Sequence, residues 1–234
     1  MELLIQLTNS QPQNLNILAH LHSLNILMHV SLGSVGIILG AIQLLTPKGG
    51  VRHRKLGKLF LRCYCVVICS AILGSIFFNF RAFLVVLTFS AAYTCTSGYR
   101  VLFLKGKQPM AFDNILSTLG IGFSLAFIYW IDSIPLIMSK TTVAVTVAHI
   151  LVFCVYDLSR NYCTAKYLSR SWIYEHMLKM ISAVGALLSA ASGNLLPSYG
   201  AVGQLTPSIV TTLLVGLFFV LMMKGKVNLK QTSK

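Results

Sequence analysis

Residues 46–62 read TPKGGVRHRKLGKLFLR. Six bases stand in this stretch, Lys48, Arg52, Arg54, Lys55, Lys58 and Arg62, with no acid among them. A long apolar run lies on either side. A basic hydrophilic loop between two membrane-length runs fixes which side of a bilayer it faces, because short loops rich in Lys and Arg stay on the cytoplasmic side. The reading of this stretch therefore sets the architecture of the whole chain.

Outward from it, apolar windows of bilayer length recur seven times, at about 24–45, 59–80, 82–104, 112–134, 141–158, 176–196 and 208–223. About 20 residues at ~1.5 Å each cross a ~30 Å hydrocarbon core. Backbone groups must pair within lipid, and the period-2 alternation of a barrel is missing, so each window is expected to be a helix. Composition agrees. Apolar residues make up 56% of the 234 and charged residues 10%, against about 25% charged in a soluble domain. The chain has too little polar surface to cover itself in water. The expectation is an all-α, polytopic membrane protein, a seven-helix transmembrane bundle forming one domain over 1–234.

Charge segregation gives an orientation. Seventeen of the 19 Lys and Arg residues fall on one side of this seven-helix scheme. They lie in the first loop, after the third helix (Arg100, Lys105, Lys107), around the fifth loop (Arg160, Lys166, Arg170, Lys179) and in the tail (Lys224, Lys226, Lys230, Lys234). Arg81 and Lys140 fall on the other. The expected topology puts the N-terminus outside and the C-terminus in the cytoplasm. The net charge of +14 is thus a product of topology. No nucleic-acid partner is expected, since no basic domain or base-reading motif is present. The first residues, MELLIQLTNS, do not read as a signal peptide: an acid stands where a basic region belongs and the apolar run is short.

Small residues cluster on two helices. Gly33, Gly36 and Gly40 lie on the first, and a run from Ala183 to Gly193 on the sixth. Such faces let membrane helices approach closely. They serve packing inside one bundle, a homodimer face, or clearance for a flat cofactor. The six cysteines avoid the outer loops, so structural disulfides are not expected. Cys65 and Cys69 share a helix face.

The histidines fall at two depths. His29 lies near the outer end of the first helix and His149 in the fifth, near the bilayer middle. His53 and His176 lie at the cytoplasmic ends of the second and sixth. An outer pair and an inner pair are what transmembrane electron transfer through two b-type haems would need. Histidines near an interface also serve as plain polar contacts. His176 and Met180 share one face of H-M-x-x-M, a copper-type donor set or ordinary packing. Arg52, Arg54 and Lys55 beside His53 would meet lipid phosphate on an anionic inner leaflet. Asp157 is expected to pair with Arg160 or with the first loop, and Asp113 to pair likewise or cap the fourth helix. Asp132, next to Pro135, marks the outer boundary. No P-loop, HExxH, Ser-His-Asp order or dinucleotide glycine pattern is present.

Several pieces in order resemble a family of small bacterial predicted membrane proteins that carry a domain of unknown function. They are His29 with glycines after it, Lys48-Gly49-Gly50, then His53-Arg54-Lys55-Leu56-Gly57-Lys58, Ser97-Gly98-Tyr99-Arg100, and His176-x-x-Lys179-Met180 followed by small residues and Asn194. The resemblance covers about 28–210 and implies topology and a bacterial cytoplasmic membrane, with no activity attached. Lys179 stands where that family usually has Arg. A shorter pattern, His in a first core helix and His53-Arg54-x-x-Gly57 at the next helix start, is similar to the ascorbate-reducible transmembrane cytochromes b. That similarity implies haem b as a cofactor. The functional expectation is haem binding or electron transfer. The alternatives are an assembly factor working through a protein partner, a lipid- or small-molecule-handling bundle, and a transporter.

Overall fold

The computed structural model describes residues 2–78, 80–131, 133 and 140–225, with side chains from residue 17 onward except at 141, 197, 201 and 204. Asp132, Pro135 and the tail residues Lys226, Lys230 and Lys234 lie outside the described residues. Seven α-helices account for nearly all of the rest: α1 Glu2–Leu45, α2 Val51–Phe77, α3 Ala82–Leu104, α4 Ala111–Trp130, α5 Lys140–Ser159, α6 Ala165–Leu195 and α7 Gly200–Met223. Among the described residues there is no strand. All seven helices are long and apolar enough to cross a membrane. Rows of large apolar side chains stay exposed on the outside of the bundle, such as Ile72, Ile76, Leu119, Leu125, Leu213 and Leu217. This is a multi-pass membrane protein.

The bounds of α3 coincide with its apolar window, whereas α1, α2 and α6 begin well before theirs. α2 starts at Val51 rather than 59, and α6 at Ala165 rather than 176. Hydropathy detects the stretch that lipid requires to be apolar. It is blind to helix that continues into the polar interface or lines the inside of a bundle. His176 consequently sits about three turns into α6, not at its start.

Local chemistry sets the helix ends. Thr164 caps α6 by accepting from the Tyr167 amide. Asp113 reaches back to the Met110 amide and caps α4. α3 ends at Lys105 in the left-handed region, and Gly106 follows at φ 84°. A Cβ on Gly106 would also lie 2.5 Å from the Ser169 Cα. Glycine there satisfies both the turn and the close approach of α6.

α3 is the axle. It packs on α2, α5, α6 and, more lightly, α4; α6 packs on α3, α7 and α1; α4 packs on α5, and α1 on α2. One apolar cluster joins α3, α4 and α5 around Val86, Tyr93, Val147 and Cys154. The other joins α1, α2, α3 and α6 around Phe60, Tyr64, Cys95 and Ala183. The small-residue faces work inside this chain. A Cβ on Gly40 would press on the Val184 side chain of α6, and one on Gly185 on Thr211 of α7.

Candidate buried charge layer

The ends of α3 and α5, the start of α4 and the first half of α6 meet on the side that carries most of the bases. Three acid–base pairs form there. Asp157 Oδ1 accepts from Lys179 Nζ at 2.5 Å. Arg160 Nε lies 3.2 Å from Glu175 Oε2. Asp113 receives Arg100 at both oxygens, at 2.8 and 2.9 Å. Lys179 is 1% exposed and Arg160 3%.

The pairing is crossed. Asp157 and Arg160 are neighbours on α5 and the turn after it, yet each takes its partner from α6. The sequence expectation that Asp157 pairs with Arg160 or with the first loop is therefore corrected. Adjacent residues at the end of α5 face α6 as a set, and Lys179 and Glu175, one turn apart on α6, meet them. Asp113 does both things expected of it, capping α4 and binding a base.

Asp157 is satisfied on its other oxygen as well. Tyr93 donates to Asp157 Oδ2 at 2.7 Å and lies 3.0 Å from Ser117 Oγ. Glu175 Oε1 accepts from Ser171. Around a small cavity lined by Ser97, Ser117, Asp157, Arg160 and Lys179 the bonding is incomplete. Arg160 Nε and Nη2 and Ser97 Oγ are buried without a hydrogen bond. The 3.2 Å contact of Arg160 with Glu175 is an ion pair out of hydrogen-bond alignment. Glu175 Oε2 is buried and unbonded too, but Glu175 does not line the cavity. The cavity has about 10 Å³ of room for the centre of a water molecule, the space one water or a similarly small guest needs.

No family model, no curated protein and no solved structure matches this chain. The site is consequently judged on its own chemistry. Ionisable groups at membrane depth are costly, face the bundle interior and mark sites of function. Buried ion pairs add little net stability, so the two buried pairs, Asp157–Lys179 and Arg160–Glu175, stand as a candidate site.

The histidines are placed differently from one another. His29 Nδ1 lies 2.8 Å from Ser70 Oγ of α2, and His149 packs at a tilt against Phe153 of its own helix, ring centres 4.6 Å apart. α1 packs on α2 and α6, and α5 on α4 and α3, so His29 and His149 sit among different neighbours. His53 and His176 do come within electrostatic range of each other. His176 Nδ1 donates to the Gly98 carbonyl at 2.9 Å, which leaves Nε2 as an open lone pair. His53 Nδ1 is buried without a partner. Beside them α3 and α6 pack directly: a Cβ on Gly98 would lie 2.9 Å from Lys179 Cβ and 3.2 Å from Met180 Sδ. A slot of porphyrin width does not fit between α3 and α6 there. Among the described residues no three His, Cys, Asp or Glu side chains gather as a metal set. Met180 faces α3 within the apolar cluster.

Arg52, Arg54 and Lys55 are exposed at the start of α2. Lys48, in the loop before it, folds back instead. Its Nζ donates to the carbonyls of Gln43, Leu44 and Thr46 and lies 5.1 Å from the Phe218 ring. Burial lowers its pKa below the ordinary lysine value. Tyr93, Arg100, Arg160, Glu175 and Lys179 were not singled out as site residues by sequence reasoning. The available signal was Ser171, Glu175 and Lys179 at four-residue spacing on one face of α6.

Proposed function

We propose that the protein is a membrane carrier for a small anion, with the charge layer around Arg160 as its binding site. One observation carries the reading. Of the two lining side chains with free hydrogen-bonding atoms, Arg160 can only donate and carries positive charge, and Ser97 brings a hydroxyl that can donate beside it. The lining acids are already engaged, Asp157 by Lys179 and Tyr93, and Asp113 by Arg100 and the Met110 amide. A guest that brings acceptors and negative charge completes the arrangement. The basic loops at the same end of the bundle would raise the local anion concentration. The positive-inside rule puts that end in the cytoplasm, and the resemblance to small bacterial membrane proteins supports the cytoplasmic membrane as its location.

Flux into proteoliposomes tests this directly. Followed with a fluoride electrode, entry of fluoride, an ion close to water in size, is expected to exceed that into protein-free vesicles, and Arg160→Gln to bring it back to the vesicle baseline. Equal entry with and without protein overturns the reading, as does Arg160→Gln protein that folds and conducts like the wild type.

A second reading, a redox protein holding haem b, rests on the approach of His53 to His176 and on the open Nε2 of His176. It requires α3 and α6 to part beside Gly98. Sharp b-type bands in a reduced-minus-oxidised spectrum, lost in His176→Ala, are the expected signature. A flat spectrum of protein from haem-replete cells removes it.

A further inference from the structure

A second cavity lies on the other side of α6. It is a groove of about 690 Å³ between α5, α6 and α7, well within the size of ligand sites. Its origin is topological. α6 packs on α3, α7 and α1, while α5 packs on α4 and α3. The consecutive helices α5 and α6 are bridged at their facing sides by Lys179–Asp157 and Arg160–Glu175 and otherwise make few contacts with each other.

The lining is graded along α6. At the basic end stand Lys166, Tyr167 and Arg170, all exposed. Toward the bundle middle stand Val152, Phe153, Leu178, Val215 and Phe219. Val152 and Phe219 stay open at the rim, 67% and 44% exposed. Glu175 lines the groove, but its carboxylate is bonded by Ser171 at Oε1 and its charge is countered by Arg160 3.2 Å from Oε2. The charge left facing the opening is positive.

We infer that this groove binds an anionic glycerophospholipid, its phosphate on Lys166 and Arg170 and one acyl chain along Phe153, Val215 and Phe219. The charge at the mouth selects an anionic headgroup, and the apolar floor demands a chain attached to it. Tyr167 sits where the two regions join, the place an amphipathic ring favours in a membrane interface. The site is separate from the anion chamber, and neither needs the other to be right.

Binding to the detergent-purified full chain is measured with three probes: dihexanoyl phosphatidylglycerol, dihexanoyl phosphatidylcholine and inorganic phosphate. The glycerol lipid is expected to bind saturably and to raise Tm, the choline lipid to bind more weakly, and phosphate alone not to bind. The exposed double variant Lys166→Ala, Arg170→Ala is expected to lose roughly thirtyfold in affinity for the glycerol lipid, about fivefold per cation, and to keep its affinity for the choline lipid. Val215→Trp, which fills the floor, is expected to weaken both lipids. Equal binding of the two lipids overturns the inference. So does wild-type affinity in the double variant, or phosphate binding as tightly as the lipid. Absence of fluoride flux with lipid binding intact would remove the anion carrier and leave this site standing.

Discussion

Lys179 of α6 donates to Asp157 of α5 from a position that is 1% exposed, so each residue is the other's means of being charged inside the bundle. Lys179→Met therefore strands a buried carboxylate. The expected cost is about 3–5 kcal/mol, read as a drop in Tm or in the midpoint of denaturant unfolding. Asp157→Asn together with Lys179→Met removes both charges, and the double variant is expected to be more stable than Lys179→Met alone. A single variant as stable as the wild type would show that Asp157 needs no cation.

Gly106 offers a test of the α3–α4 connection. Its φ of 84° and the 2.5 Å approach of a Cβ to Ser169 act together. Gly106→Ala is expected to cost about 2–4 kcal/mol, left-handed strain plus displacement of α6. Gly216→Ala in α7, where a Cβ meets nothing within 4 Å, is the control. It is expected to leave stability unchanged or raise it by up to ~1 kcal/mol. Similar Tm values for the two variants would remove the close approach as the reason for glycine at 106.

Much of the fold was legible because lipid imposes one rule on every spanning segment. The window 82–104 gave α3 to the residue, and the basic stretch 46–62 separated α1 from α2. The starts of α2 and α6 were not legible. Their first turns carry Arg52, Arg54, Lys166 and Arg170, which a hydropathy window reads as loop although the helix continues through them. The charge layer was hidden for a related reason. Lys179 and Arg160 counted as topogenic bases, and nothing in a single chain says that α6 turns Lys179 inward onto α5. The histidines were placed by depth alone, and depth does not set azimuth. His53 and His176 fall within electrostatic range of each other, whereas His29 faces Ser70 of α2.

Orientation has a built-in reporter. Cys163 is partly exposed in the turn between α5 and α6, and Cys63, Cys95 and Cys154 are buried. Cys65 and Cys69 are exposed, but they lie within a span, where a thiol lacks the water it needs to ionise and react. With the basic end in the cytoplasm, a membrane-impermeant maleimide is expected to label inverted membrane vesicles and not intact cells. Cys163→Ser is expected to abolish that labelling. Labelling of intact cells that depends on Cys163 would reverse the topology.

Tyr93 links the two apolar clusters' common axle to the charge layer, and its role is separable from that of Lys179. Its hydroxyl donates to Asp157 Oδ2 at 2.7 Å, while Lys179 occupies Oδ1. Tyr93→Phe removes one hydrogen bond to a charged acceptor and leaves the ring in its cluster, so a loss of about 1.5–3 kcal/mol is expected. The two donors serve one carboxylate, and their losses should not add. With Lys179 gone, Tyr93 is the remaining side-chain donor to the Asp157 carboxylate, so Tyr93→Phe is expected to cost more in a Lys179→Met background than in the wild type, with a coupling of about 0.5–3 kcal/mol. Strict additivity in the double-mutant cycle would mean that Tyr93 and Lys179 act on Asp157 independently, and that the charge layer is a set of separate pairs without a shared centre.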